Sequence, residues 1–372
     1  MTKELTEQEK QQRIRETDQN PWLLLAREGR QGWNGFMLRH YGEQAVPKTA
    51  AQDLKPMEEG RYLAWLERFR KREKEGTEVN LETPSFRGNI INKPFDASGF
   101  VFLGTPDFSK ALFSENVDFS GAVFLKGADF HAAEFLGPSH FSQVVFKERA
   151  NFSEASFSHA FFKKTEFTIA DFRAASVKVA INFKEAKFKE PPRFGGLQCD
   201  TIFFDGAEFG NDLKEDRLHI SASSWAALIR LMEKVHNLPQ RQVFHEKLLE
   251  VEKHYKTEKS ARPLYTGYRA LGSGRSAFLP FFWWLFFSLA FGVFYLGCAK
   301  TLNASLAFAV SNSLPFVGSV NPQIGQFWSE VPAEFIPLVM LIAGLHAILS
   351  LICIFCIGLA LRNRFRIKLG GF

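Results

Sequence analysis

The chain has 372 residues, a net charge of +6 and 41 phenylalanines, far more phenylalanine than ordinary proteins contain. A chain of this length is expected to form two or more structural units. Three of its four cysteines lie in an apolar C-terminal stretch, which excludes a disulfide framework, and the basic excess lies in residues 211–372 beside apolar segments, which indicates a membrane rather than a nucleic-acid partner.

Residues 1–85 hold 15 basic and 15 acidic side chains. Residues 1–20 are polar with no apolar run and no signal peptide, so we expect this end of the chain in the cytoplasm. Residues 21–40 predict a short helix and a turn around Gly32 and Gly35. Residues 57–75 predict a helix with an apolar stripe, which either binds a partner or covers one end of the structure that follows. We favour the second interpretation and predict a helical cap over residues 1–85.

Phenylalanine recurs at a regular spacing across residues 86–210. The spacing alternates between five and six residues from Phe108 to Phe157 and then stays at five through Phe172. The apolar residues of a helix recur every three or four positions and those of a strand every two, so neither explains this spacing. A fixed longer period is typical of stacked repeats, each burying its inner face against its neighbours.

The segments ADFHAAEFLGPSHF and ANFSEASF within this stretch resemble the Phe-centred form of the pentapeptide-repeat family. The resemblance implies a right-handed quadrilateral β-helix, in which four faces make one coil and the phenylalanines stack inside. Mixed five- and six-residue faces predict about 20 to 22 residues per coil and about six coils, with the extra residues at corners.

Residues 211–276 predict a helical hairpin followed by a basic linker. The helical pattern over residues 222–256 is interrupted near Pro239, which suits the first turn of a second helix. Residues 257–276 are basic and contain Gly and Ser, as expected for a linker that runs up to a membrane surface.

Residues 277–372 predict an α-helical membrane domain. Residues 277–299 and 333–361 form two apolar runs, each long enough to span a hydrocarbon core of about 30 Å. Basic residues flank both runs on the same side, so the positive-inside rule places both termini in the cytoplasm. We therefore expect a multi-pass protein of a bacterial inner membrane, with the lipid bilayer as its first partner.

The segment between the spans predicts a re-entrant element over residues 302–322, because its apolar part is too short to cross. The order of span, short helix, loop and span resembles the two-helix potassium-channel-like pore, whose filter loop reads Thr-Val-Gly-Tyr-Gly. The second filter glycine and the tyrosine are missing here. The resemblance implies a filter-like loop formed by Ser311, Asn312, Ser313, Pro315, Phe316, Val317, Gly318 and Ser319.

His346 and Ser350 lie near the middle of the second span. An ionisable residue at this depth usually faces a cavity or a partner. His346 and Ser350 are either pore-lining residues, or His346 is a neutral side chain hydrogen-bonded to a neighbouring helix. The sequence leaves both interpretations open.

No catalytic constellation, cofactor motif or metal site emerges, so we predict a protein that is not an enzyme. Two helices per chain cannot bury a re-entrant loop, which implies a homo-oligomer, a tetramer by analogy with channels. The main hypothesis is an ion-channel-like protein for monovalent cations, whose cytoplasmic repeat domain gates, senses or assembles the pore, in bacterial stress or phage defence. The alternative is a membrane-anchored repeat scaffold that binds a cytoplasmic protein partner. The resemblance also suggests a third function, since some soluble pentapeptide-repeat proteins imitate DNA. Such a protein needs an acidic β-helix, but residues 86–210 hold 14 basic and 15 acidic side chains, which argues against this function. We expect no nucleic-acid partner.

Overall fold

The structure is a computed structural model that describes residues 6–42, 55–75, 80–211, 214–255, 267, 277–299, 301–314 and 323–369. The chain divides into two compact units, Met1–Tyr255 and Lys256–Phe372, which are described separately. The first unit contains a β-solenoid with helices before and after it. The second unit is helical.

Among the described residues, four helices precede the solenoid: α1 (Glu7–Asp18), α2 (Pro21–Ala26), α3 (Gly29–Tyr41) and α4 (Glu59–Lys74). The predicted turn at Gly32 and Gly35 is wrong, because both glycines lie inside α3 and the turn falls at Arg27 and Glu28. Gly35 has a packing role instead. A Cβ added there would lie 3.1 Å from the carbonyl oxygen of Lys55, so the small residue lets the chain before α4 approach the helix.

Helices α2 and α3 cover the first coil of the solenoid. The Trp33 ring stacks on Phe100 at a centroid distance of 5.1 Å, and its Nε1 donates to the carbonyl of Val101 at 3.1 Å. Asn34 fills the role of a neighbouring strand, because its Oδ1 accepts from the N–H of Val101 and its Nδ2 donates to the carbonyl of Gly99. This end of the rod is therefore closed to further strand pairing.

The solenoid is built from parallel strands in two sheets, one of eight strands and one of seven, in the described residues. The first sheet runs β1-β4-β8-β10-β12-β14, with β2 and β5 paired beside it, and the second runs β15-β13-β11-β9-β6-β3, with β7 paired to β9. The strands are β1 (Ile90–Ile91), β2 (Phe95–Asp96), β3 (Val101–Phe102), β4 (Leu112–Phe113), β5 (Val117–Asp118), β6 (Val123–Phe124), β7 (Ala128–Asp129), β8 (Glu134–His140), β9 (Val145–Asn151), β10 (Ser156–Phe161), β11 (Glu166–Asp171), β12 (Ser176–Asn182), β13 (Lys187–Phe188), β14 (Ile202–Phe203) and β15 (Glu208–Phe209).

The strand register confirms the predicted coil length and the six coils. Ala128 pairs with Ala150 one 22-residue coil later, whereas Ala150 pairs with Ala170 after only 20 residues. Where a six-residue face of β8 lies under a five-residue face of β10, the register shifts just after Phe157. The extra residue is therefore absorbed between faces, as the sequence predicted.

The core consists of four columns of phenylalanine rings, one for each face. Neighbouring rings along a column lie 4.5 to 5.4 Å apart and most are nearly parallel. This spacing follows from the strand spacing of about 4.8 Å, since each coil adds one ring to every column. The columns contain Phe86, Phe108, Phe130, Phe152, Phe172 and Phe194; Phe102, Phe124, Phe146, Phe167, Phe188 and Phe209; Phe113, Phe135 and Phe157; and Phe119, Phe141, Phe162, Phe183 and Phe204.

In the described part of the first unit, the solenoid is followed by the α-helices α5 (Leu218–Lys234) and α6 (Leu238–Tyr255). Pro239 lies in the first turn of α6, as predicted, while α5 begins four residues earlier than the pattern indicated. Phe244 makes edge contacts with Phe204 at 5.8 Å and with Phe209 at 5.0 Å. The hairpin thus covers the last rings of two core columns.

The second unit contains α7 (Phe278–Cys298), α8 (Leu302–Ser313), α9 (Gln323–Glu330), a 3-10 turn (Ala333–Phe335) and α10 (Ile336–Leu369). Two of its segments, Phe278–Cys298 and Ala333–Arg362, are long and apolar enough to cross a membrane. Phe308 of α8 stacks on Phe327 of α9 at 4.1 Å, and the edge of Tyr295 of α7 meets both rings. Helix α9 was not predicted from the sequence.

Candidate functional site between the two long apolar helices

Two hydroxyl side chains of the second unit, those of Tyr295 and Ser313, meet at one buried residue, His346. The imidazole is fully buried in the chain. Its Nδ1 lies 3.3 Å from the hydroxyl of Tyr295, and its Nε2 lies 3.2 Å from the hydroxyl of Ser313. The ring also stacks on Phe291 at 4.6 Å. Both ring nitrogens therefore have partners within the same chain, on α7 and α8.

The sequence of α10 explains this position. Its buried residues follow steps of three and four, the period of one helix face, and include His346 and Ser350. Leu341, Leu345 and Ile348, on the other faces, are exposed apolar side chains. The hydroxyl of Ser350 is buried and has no hydrogen-bond partner among the described residues. The members of the buried face are Val339, Ala343, His346, Ser350, Cys353, Cys356 and Ala360.

The C-terminal end of α8 is held by both long helices. The hydroxyl of Ser313 lies 2.8 Å from that of Ser288 on α7, and Trp284 Nε1 donates to the Ser313 carbonyl at 3.0 Å. Ser288 is the middle residue of α7, and His346 lies near the middle of the segment Ala333–Arg362. Helix α8 therefore ends beside the middle of both long helices.

The N-terminal end of α8 is held by a carboxylate. Glu330, the last residue of α9, accepts hydrogen bonds from the backbone N–H and the hydroxyl of Thr301, both at 2.8 Å. Thr301 is the residue before the first turn of α8, so the negative charge also faces the positive end of the helix dipole. Gln326 donates to the same carboxylate at 3.0 Å. Both ends of α8 are thus fixed by hydrogen bonds.

The structure brings together two of the predicted groups, since Ser313 contacts His346. Ser311 donates to the carbonyl of Ala307 at 2.8 Å, and the amide nitrogen of Asn312 is buried without a partner among the described residues. The geometry matches the interpretation of His346 as hydrogen-bonded to neighbouring helices, and pore lining by His346 and Ser350 stays a prediction. Pro315, Phe316, Val317, Gly318 and Ser319 lie outside the described residues.

Sequence reasoning missed the partners of this network on α7. Trp284, Ser288 and Tyr295 are separated by four and seven residues, which places them on one helix face. This polar stripe could have indicated the face of α7 that contacts other helices. It was overlooked because residues 277–299 were interpreted only as one apolar span. The sequence assigned no role to Glu330. In the described residues, no group of three or more His, Cys, Asp or Glu side chains could hold a metal ion.

A family described as Pentapeptide repeats, in eight copies, matches residues 148–178. This match lies where the phenylalanine step is a strict five, and together with the observed solenoid it confirms the repeat. No curated protein and no solved structure matches the chain. The resemblance of residues 277–372 to a potassium-channel-like pore stays a prediction.

Proposed function

We propose, for a chain whose first unit holds a pentapeptide-repeat β-solenoid, that the second unit is an oligomeric, ion-channel-like membrane domain. In this proposal the solenoid gates, senses or assembles the pore from the cytoplasm. The observation that carries the proposal is the position of α8, a short helix that ends beside the middle of both long helices. The C-terminal end of α8, which is hydrogen-bonded to both long helices, is followed in sequence by the remainder of the predicted re-entrant element.

The length of α8 supports a re-entrant path. Its 12 residues extend about 18 Å at the helical rise, well below the ~30 Å of a hydrocarbon core. The helix begins just after the end of α7 and ends beside Ser288, the middle of α7. If α7 spans a bilayer, the following loop starts near mid-depth. Loop backbone at that depth must be buried in protein or face water, which supports an oligomer around an aqueous path.

The type of ion that would permeate follows from the C-terminal end of α8, which would face this aqueous path. The C-terminal end of a helix carries partial negative charge on free carbonyls, which favours cations. The described part of α8 supplies hydroxyls and an amide near this end rather than carboxylates. Selectivity would then depend on carbonyl and hydroxyl dipoles of the loop, and we propose monovalent cations that pass with weak discrimination.

A specific observation favours the second candidate, a membrane-anchored scaffold. The exposed side chains of the two long helices are large and apolar, for example Leu289, Val293 and Met340. The polar groups turn inward toward α8 in the same chain. Such a unit can lie in lipid without any partner, and the solenoid would then serve only to bind a cytoplasmic protein.

Planar bilayers distinguish the two candidates. We expect currents from the purified oligomer, and in a background without the four native cysteines we expect Ser319→Cys channels to be blocked by a cationic thiol reagent. Leu345→Cys is the matched control, because Leu345 lies on the exposed apolar face of α10 and its modification should leave the current unchanged. A folded chain that stays monomeric and silent would favour the anchor, and block at both positions would contradict the assigned pore loop.

Membrane topology gives a separate prediction. In intact cells or right-side-out vesicles, a membrane-impermeant thiol reagent should label a cysteine at Ser319 or Gln323. It should not label one at Ser260 or Gly370, because the basic flanks keep both termini inside. Labelling of Ser260 and Gly370 from opposite sides would imply an odd number of spans and would exclude the two-span domain.

A further inference from the structure

Three arginines converge on one carboxylate at a corner of the solenoid. The carboxylate of Asp171 is fully buried and accepts from Arg149 Nη2 at 2.7 Å. It also forms a bidentate salt bridge with Arg173, whose Nε and Nη2 donate to the two carboxylate oxygens at 2.8 and 2.7 Å. Arg193, one coil further on, lies 3.9 Å away. We name these four residues the arginine corner.

The arginine corner carries more positive charge than its carboxylate neutralises. Asp171 is the only acidic partner within 4 Å of the three guanidinium groups in the part of the chain that the structure describes. Burial raises the pKa of Asp171, but the hydrogen bonds and charge of Arg173, with the charge of Arg149, lower it overall, so the carboxylate is ionised at neutral pH. Three positive charges against one leave an excess of two.

The donors that remain are accessible. The side chain of Arg149 is 47% exposed and that of Arg173 is 54% exposed. The carboxylate uses only one Nη of Arg149 and one edge of Arg173, so each guanidinium keeps other N–H groups directed away from Asp171. The buried Asp171 therefore acts as an anchor that holds the two exposed guanidinium groups side by side.

A comparison within the same rod shows that this arrangement is local. Arg87 occupies the position equivalent to Arg173, directly after a ring of the same phenylalanine column. It lies 3.8 Å from Asp107, the residue equivalent to Asp171. There one arginine faces one carboxylate, that of the next coil, and no excess remains. Arg87 is 61% exposed and serves as a matched control for Arg173.

We infer that the arginine corner is a binding site for a small phosphate-bearing anion. Guanidinium groups bind phosphate oxygens through paired N–H donors, and a fixed pair of them fits one phosphate group better than mobile lysines would. A phosphate oxygen would accept from Arg149 and Arg173 together, with Arg193, one coil further on, adding positive charge. Burial lowers the pKa of Arg193, the charge of Asp171 opposes this shift, and the charges of neighbouring arginines add to it. An added anion would raise that pKa again.

Calorimetric titration of the full chain in a zwitterionic detergent, with inorganic tripolyphosphate at constant ionic strength, tests the inference. We expect saturable binding that is weakened about tenfold or more in Arg149→Gln and in Arg173→Gln, because each removes a charge-assisted hydrogen bond. Arg87→Gln should bind as the wild type does. Circular dichroism should show that every variant keeps its β-structure, and Arg149→Gln keeps the Asp171–Arg173 pair if Arg173→Gln does not fold.

A second arm compares tripolyphosphate with adenosine triphosphate. Equal affinity would mean that the phosphate group alone is recognised, and tighter binding of the nucleotide would mean that residues beside the corner contact the base. The absence of saturable binding to folded wild type overturns the inference. An equal loss in Arg87→Gln also overturns it, because the effect would then be general surface charge.

Discussion

Replacing Phe130 with alanine is expected to destabilise the solenoid by about 3–5 kcal/mol. The ring has no exposed surface and lies between Phe108 at 4.8 Å and Phe152 at 4.7 Å, nearly parallel to both. Phe119 and Phe141 each meet its edge at 5.6 Å. Because every coil packs only on its neighbours, the cavity cannot be refilled without shifting a whole column.

The control for this prediction is Phe161→Ala. Phe161 precedes a core ring but points outward, where it is half-buried and stacks on His140 at 5.0 Å. Removing it loses the ring contacts with His140 and His159, about 0.5–1.5 kcal/mol in total, and leaves the core intact. Thermal and denaturant unfolding of the full chain, followed by circular dichroism, would compare the two. Equal losses would contradict the assigned register of the repeat.

The solenoid could be predicted because each coil packs only on the coils before and after it along a single axis. A ring that stacks on the equivalent ring of the next coil must recur at the coil length, so the spacing of Phe108, Phe130 and Phe152 reads out the fold directly. The polar positions follow the same rule. Asp129 is an example: its Oδ1 accepts from the N–H of His131 two residues later and fixes the turn.

The helical caps were less predictable, since their packing partners are distant in sequence. Gly32 and Gly35 look like a turn by local propensity, yet α3 runs through both. Gly35 packs closely against residues 55–57, and Gly32 packs closely against the side chain of Glu28. Helix α1 has no apolar stripe and was missed. Its signal was local: Thr6 and Glu9 form a capping box, with reciprocal hydrogen bonds of 3.3 and 2.8 Å.

The site in the second unit was half predictable. His346 and Ser313 were each selected, one as an ionisable group within a span and one as part of a loop. Their contact depends on the docking of α8 between α7 and α10, which no periodicity in a single helix reports. Helix α9 was hidden for the same reason, because its Phe327 gains its burial from Phe308 rather than from its own pattern.

His346→Ala should destabilise the helical unit by about 2–4 kcal/mol, since it removes a buried ring and two hydrogen bonds. Tyr295→Phe deletes only the hydroxyl beside Nδ1 and should cost about 0.6 kcal/mol, a typical hydrogen bond between membrane helices. His346→Gln should recover part of the loss, because its amide can reach toward Ser313 as Nε2 does. Unfolding in a detergent–denaturant titration measures all three.

A role in holding the chain after Ser313 is distinguishable from a role in packing alone. In a cysteine-free background, a cysteine at Ser319 should react faster with thiol reagents in His346→Ala than in the otherwise unchanged chain. Val339→Ala is the matched control, because Val339 is buried on the same face of α10 and makes no hydrogen bond to α8. It should lower stability without raising the labelling rate. Equal acceleration in both variants would mean that His346 contributes only to packing. Acceleration in His346→Ala alone, reversed by His346→Gln, would make His346 the residue that positions the proposed pore loop from outside the ion path.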